Sequence, residues 1–135
     1  MKIQHVDVNY TNQLWPQVEK FIEAAIACQD DYNIEHAKVF VTNGTWMLVV
    51  AIDDDGVIHG AATIMFYNRP NDRVAFVVTT GGRMIVNQET FQQFAELLKA
   101  FGATYIECAA RESTIRLYER VGLKEKYRVA GAKIL

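Results

Sequence analysis

Tyr118 is a candidate for acid chemistry in this sequence. It lies in the stretch STIRLYERVGL, residues 113–123, which has the pattern of a short helix that stops at Gly122. A phenol in such a place can deliver a proton to a leaving group, or it can simply pack against the core. The other apolar positions of the same predicted helix are Ile115, Leu117 and Val121. The residues alone favour packing, and both interpretations stay open.

Basic and glycine-rich positions could bind an anion. Arg116 and Arg120 stand four residues apart, so they either contact an anion together or form a solvated helix face balanced by nearby glutamates. Gly81 and Gly82 either form a displaced anion-binding loop or a bulge in a bent strand, and the bulge is favoured. Arg83 follows them, and residues 83–86 either prolong a strand or form one arm of a hairpin.

Composition excludes several classes of protein. The chain has 135 residues, 50% of them hydrophobic, and a net charge of −2, so no global field would recruit nucleic acid or an anionic membrane. No apolar run approaches the ~18 residues of a membrane span, and the first residues lack the pattern of a signal peptide. We expect a cytoplasmic, reduced protein without a metal site, in which Cys28 and Cys108 are buried free thiols.

Hydrophobic spacing predicts one mixed α/β domain over residues 1–135. The predicted elements begin with a strand at Lys2–Val8, a helix from Leu14 to near Gln29 with Pro16 in its first turn, and strands at Trp46–Ile52, Val57–Tyr67 and Arg73–Thr79. They continue with a helix at Phe91–Phe101, which has Asn87 as N-cap and Gly102 past its end, a strand in residues 103–109 and a helix at Glu112–Val121. Residues 124–135 close the chain as an extended strand. For residues 33–44, local rules allow a helix or a hairpin turned on Asn-Gly and slightly favour the hairpin. The step from Arg73 to Cys108 requires a parallel strand pair joined by a crossover helix.

The order of these elements resembles the GNAT superfamily of acyl-CoA-dependent N-acetyltransferases over nearly the whole chain. IRLYERVGL is similar to that family's C-terminal motif, with Leu123 in place of a phenylalanine. The resemblance favours a helix at Ile34–Thr42. It implies a mostly antiparallel sheet in which a parallel strand pair, Arg73–Thr79 and Thr104–Cys108, splays apart.

The resemblance also implies a function. Acetyl-CoA would be the co-substrate, and its pantetheine arm would pair with the backbone of Phe76, Val77 and Val78 in the splay. Tyr118 would protonate the departing CoA thiolate. Gly81, Gly82 and Arg83 would lie near the CoA phosphates. The acceptor would be a small-molecule or protein primary amine, and a homodimer stays open.

Two departures from the family pattern lead to an alternative function. The family's Arg/Gln-x-x-Gly-x-Gly/Ala loop, which binds pyrophosphate at a helix start, is replaced by TTGGRMIVNQET, and Arg111 stands where an asparagine is usual. The altered loop resembles that of compact GNAT-like proteins of tailed phages and prophages. The alternative is therefore a non-catalytic binding or structural protein.

Overall fold

A five-stranded sheet carries helices on both of its faces. The computed structural model of the protein describes residues 1–27, 29, 31–85 and 87–135. Its elements are, in chain order, β1 (Lys2–Val6), α1 (Val8–Ile26), α2 (Ile34–Thr42), β2 (Met47–Ile52), β3 (Ile58–Asn68), β4 (Arg73–Gly82), α3 (Gln88–Ala100), β5 (Tyr105–Cys108) and α4 (Glu112–Arg120). Neighbouring strands β1 to β4 pair antiparallel, whereas β4 and β5 pair in parallel. The predicted fold class is confirmed.

Two hydrophobic clusters fill the space between the sheet and its helices. On one face, Phe94 and Leu98 of α3 pack on small and branched strand residues such as Val49 and Ile64. On the other face, Ile22 of α1 and the α2 residues pack on a second set of strand residues. Side chains that alternate along each strand therefore pack on both faces of the sheet, which explains why the strand sequences are apolar at successive positions. The β4–β5 pair lies at one end of this sheet.

The first helix begins six residues before its predicted start. The side chain of Asp7 accepts a hydrogen bond from the Asn9 N–H at 2.9 Å and caps the helix. Pro16 consequently lies inside α1, so its predicted place in the first turn is wrong. An internal proline costs about 3 kcal/mol in a helix. Packing of Trp15, Val18 and Ile22, all buried, offsets that cost.

The ambiguous segment at residues 33–44 is a helix, as the resemblance implied. Asn33 accepts a hydrogen bond from the His36 N–H at 3.0 Å, and His36 Nδ1 accepts one from the Asn33 N–H at 3.1 Å. This reciprocal cap satisfies two groups at the helix start. Asn43 and Gly44 end the helix, with Gly44 at φ +84°.

Two other expectations are corrected at β4 and after α4. β4 continues to Gly82, with Gly81 and Gly82 in regular register opposite Ala61 and Gly60, so these glycines do not form the favoured bulge. Residues 83–85 form bends rather than strand, and Met84 among them is buried in the core; Val86, like Cys28, lies outside the described residues. The segment after Gly122 forms neither helix nor strand, so the expected closing strand is wrong.

Gly122 ends α4 in the way that its sequence position predicts. It has φ +111°; the Leu123 N–H donates to the Tyr118 carbonyl, and the Gly122 N–H donates to the Glu119 carbonyl. Gly122→Ala should lower the free energy of unfolding by about 1 kcal/mol, because a Cβ is strained at this φ even though nothing lies near it. Thermal melts of Gly122→Ala and of the control Gly122→Asn measure this. Asparagine tolerates positive φ better and should lose less; equal melting of wild type and the alanine variant would contradict the strain.

Candidate functional site

The parallel pair β4–β5 opens after four residue pairs. Its ladder runs from Val74 opposite Tyr105 to Val77 opposite Cys108. Beyond this point residues 79–82 of β4 pair with β3 on one side, and within the described chain no strand pairs with the other edge of β4. Backbone N–H and C=O groups on such an edge are partners for amides of a ligand. The opening is therefore the place where this sheet can bind an extended molecule.

A β-bulge marks the start of the opening. The register passes from Thr63 opposite Thr79 to Ile64 opposite Val77, which leaves Val78 as the extra residue. The Val78 carbonyl accepts a hydrogen bond from the Tyr32 hydroxyl at 3.3 Å. The buried hydroxyls of Thr63 and Thr79, 2.8 Å apart, bond to each other across the adjoining pair. These bonds hold the bulge in one conformation.

Close approach of α1 explains the two glycines at the end of β4. A Cβ on Gly81 would lie 2.2 Å from the Phe21 carbonyl oxygen. A Cβ on Gly82 would lie 2.4 Å from the His59 carbonyl oxygen, and Gly82 has φ +68°. The missing side chains thus allow α1 to pack directly on the strand.

The start of α3 differs from a phosphate-binding helix start. The Asn87 side chain accepts a hydrogen bond from the Thr90 N–H at 2.9 Å, so this N–H is already bonded. Glu89 places a negative charge in the first turn. Arg83 is exposed, and its backbone N–H donates to the His59 carbonyl at 2.9 Å. A phosphate near this end of β4 would meet the positive charge of Arg83, while at the start of α3 the Glu89 charge opposes it and the Thr90 N–H is already bonded.

Tyr118 lies buried on α4, with 6% of its surface exposed. No described residue is hydrogen-bonded to its hydroxyl. Because no fully buried polar side-chain atom of a described residue lacks a partner, this hydroxyl oxygen is not fully buried. Burial, and to a lesser degree the nearby Cys108, raises its pKa to about 12. Burial likewise raises the pKa of the Cys108 thiol to about 11, with a smaller effect from the Glu107 charge, so this free thiol stays protonated at neutral pH and is a poor nucleophile.

A large open groove of about 1310 Å³ runs beside β5, between α3 and the segment that follows α4. Of the predicted site residues, namely Phe76–Val78, Gly81–Arg83 and Tyr118, only Phe76 is among the residues that line this groove. Val77 packs in the core beneath α3. Val78 lies at the bulge, and Tyr118 is not among the lining residues. The structure thus brings Phe76, Val77 and Val78 to the opening but does not place Tyr118 in the groove wall.

A polar cluster in the same groove was not predicted from the sequence. Glu107 Oε1 accepts hydrogen bonds from Tyr67 at 2.9 Å and from Arg69 Nη2 at 2.8 Å, and Oε2 accepts from Arg69 Nη1. Arg69, and then Tyr67, hold the pKa of the Glu107 carboxyl below its usual value, while burial opposes this. Alternation gives a weak signal, because Tyr67, near the end of β3, and Arg69, which directly follows that strand, are two residues apart. Their partner lies 38 residues beyond Arg69.

Comparison with solved structures identifies the architecture. A probable acetyltransferase superposes with a TM-score of 0.69 at 13% identity, over 100% of this chain and 97% of the other. An aminoglycoside acetyltransferase from an uncultured soil metagenomic sample, in complex with trehalose, gives 0.70 at 14% identity, over 99% and 95%. The ribosomal-protein-alanine N-acetyltransferase of Brucella melitensis biovar Abortus 2308 gives 0.70 at 11% identity, over 99% and 100%.

The chain has the GNAT fold. No family model and no curated protein matches the sequence. The similarity to acetyltransferases is therefore found by comparing structures and not by comparing sequences. The resemblance carried by IRLYERVGL and by the strand–helix–strand order is confirmed at the level of the fold. Among the described residues, no helix of this GNAT fold is both long enough and apolar enough to cross a membrane.

Proposed function

We propose that this GNAT-fold chain transfers an acetyl group from acetyl-CoA to a primary amine. The observation that carries the proposal is the edge of β4 beyond Val77, which has no strand partner toward β5 among the described residues. The pantetheine arm would pair with this edge at Val78, flanked by Phe76 and Val77, and would pass Gly81, Gly82 and Arg83 toward its phosphates. Acetyltransferases among the solved structures with the same fold support this choice over a non-catalytic role.

The reaction needs a neutral amine beside the thioester. The amine nitrogen attacks the acetyl carbonyl carbon, a C–N bond forms, and the C–S bond breaks to release CoA thiolate. The thiolate finally holds one proton and the amine nitrogen has lost one, so the products are an acetamide and CoA. Tyr118 would stabilise the departing sulfur. Glu107 is a weak base because Arg69 lowers its pKa, so the amine would give its proton to solvent rather than to this carboxylate.

Binding of CoA should depend mainly on the pantetheine arm. At the start of α3, Asn87 already bonds one N–H, and the charge of Glu89 repels a phosphate. The free edge of β4 does not depend on that helix start. Removing the nucleotide from CoA, to leave pantetheine, should therefore weaken binding less than about tenfold, or ~1.4 kcal/mol. Isothermal titration calorimetry with CoA and with pantetheine measures this difference directly.

Arg83→Ala tests the remaining phosphate contact. It should weaken CoA binding and leave pantetheine binding unchanged, because a guanidinium attracts phosphate by charge. Arg73→Ala, at the opposite end of β4, is the matched control and should change neither. Tight CoA binding that disappears with pantetheine would contradict the weak phosphate site. Binding of neither ligand would overturn the proposed function in favour of a non-catalytic scaffold.

We further propose that the protein is a cytoplasmic homodimer of phage or prophage origin. Large apolar side chains of the segment after α4 are exposed, among them Val129, Ile134 and Leu135, and they support a homodimer that covers them. Light scattering after gel filtration would give the mass in solution. A cytoplasmic location is consistent with the use of acetyl-CoA, and a phage or prophage origin rests on the altered loop.

A further inference from the structure

Lys126 places its ammonium group among acidic and aromatic side chains. Its Nζ lies 3.6 Å from Glu107 Oε2, 4.5 Å from the centroid of the Tyr105 ring and 5.9 Å from that of the Tyr127 ring. A carboxylate beside the faces of aromatic rings is the environment that attracts an organic cation. We propose that Glu107, Tyr105 and Tyr127 form a subsite for a primary ammonium group, and that Lys126 is its internal occupant. These three residues are called the ammonium cage below.

The hydrogen bonds of Glu107 leave room for one more donor. A carboxylate offers about four acceptor positions. Tyr67 and Arg69 together fill both positions on Oε1, and Arg69 fills one on Oε2. The position that remains is on Oε2, the oxygen that faces Lys126. Arg69 pairs with both oxygens of Glu107 and also donates from Nη2 to the Tyr127 hydroxyl at 3.3 Å, so it balances much of the carboxylate charge. An ammonium group would bind at the remaining position on Oε2 and against the ring faces.

Lys126 holds its place loosely. Its distance to Oε2 is 3.6 Å, which is longer than an N–H···O hydrogen bond, and 42% of its side chain is exposed. It belongs to the segment after α4, which has no helix or strand to fix it. A ligand ammonium that donates a full hydrogen bond to Oε2 can therefore displace it.

The position of the cage gives it a role in the proposed function. Glu107 lies opposite Phe76 in the β4–β5 ladder, one pair before the opening. An ammonium group bound in the cage would thus lie beside the site proposed for the thioester, and it would lose a proton before it attacks the acetyl carbon. The cage is the acceptor subsite only if the proposed acetyl transfer is correct, but its affinity for ammonium is independent of catalysis. Lys126 then acts as a built-in competitor of the acceptor.

Titration with n-butylammonium, followed by the NMR signals of the Tyr105 and Tyr127 rings, tests the cage without any enzyme activity. An internal competitor that occupies the cage about ten times as often as it leaves it lowers the apparent affinity of a ligand about tenfold. Lys126→Ala should therefore bind n-butylammonium about tenfold more tightly than wild type. Lys124→Ala, which removes a lysine two residues away, should match wild type. The neutral probe n-butanol should shift the rings of neither protein.

The double variant Lys126→Ala, Glu107→Gln should lose the gained affinity, because the negative charge of the cage is gone. Equal affinity of wild type and Lys126→Ala for n-butylammonium, or equal shifts with n-butanol, would overturn the cage.

An acetyl-transfer assay with the same amine separates the two proposals. A tenfold gain in binding without acetyl transfer keeps the cage and rejects the proposed function. Acetyl transfer whose KM for the amine is unchanged in Lys126→Ala keeps the function and rejects the cage.

Discussion

Gly81→Ala is expected to destabilise the protein by about 3 kcal/mol or more, with a fall in Tm of roughly 10 °C. The new Cβ would lie 2.2 Å from the Phe21 carbonyl oxygen and 2.9 Å from its carbonyl carbon. Both are backbone atoms of α1, which cannot rotate out of the way as a side chain could. Either α1 separates from β4 or the strand shifts, and each movement disturbs buried packing. Chemical denaturation of both proteins measures the loss.

Gly131→Ala is the matched control, because a Cβ there would meet nothing within 4 Å and its backbone has no positive φ. Its stability should stay within about 0.5 kcal/mol of wild type. The comparison also separates two explanations of the glycine pair. If Gly81 is needed for close packing, alanine is not tolerated with or without CoA. If the pair were an open loop for phosphate, Gly81→Ala would fold normally and lose affinity for CoA alone.

Features that depend on neighbouring residues were predictable from the sequence. Asn87 caps α3, and Gly102 and Gly122 end α3 and α4 at positive φ, because each of these positions is set by the few residues around it. The resemblance then favoured the helix at residues 34–42, where local rules alone slightly favoured a hairpin. The parallel pair β4–β5 followed from the crossover helix between them.

Features that join distant segments were not predictable. The Tyr32 hydroxyl reaches the Val78 carbonyl across 46 residues, and Arg69 reaches Glu107 across 38. Neither contact leaves a periodic signal in the sequence. Pro16 was misplaced for a related reason, since its tolerance within α1 depends on burial of the helix against the sheet. The closing strand predicted for residues 124–135 has no counterpart in the structure.

The high pKa of Tyr118 restricts what this side chain can do in catalysis. Its pKa of about 12 lies well above the ~8.5 of an ordinary thiol. Because the pKa of this phenol is higher than that of a thiol, complete transfer of its proton to the departing CoA thiolate is thermodynamically unfavourable. A hydrogen bond from the phenol to the sulfur is still favourable where charge develops in the transition state. We therefore expect Tyr118 to act as a donor that keeps its proton.

Tyr118→Phe should lower kcat for acetyl transfer by about 10²-fold, because the developing charge on sulfur loses its donor. Within the described chain, the hydroxyl bonds to no other residue and the ring remains to pack, so the melting temperature should not fall. Tyr10→Phe, at an exposed position on α1, is the control and should leave both values unchanged. Steady-state kinetics and thermal melts on the three proteins measure these effects. Full activity in Tyr118→Phe would make the residue a packing tyrosine, and so would a fall in activity that only follows a loss of stability.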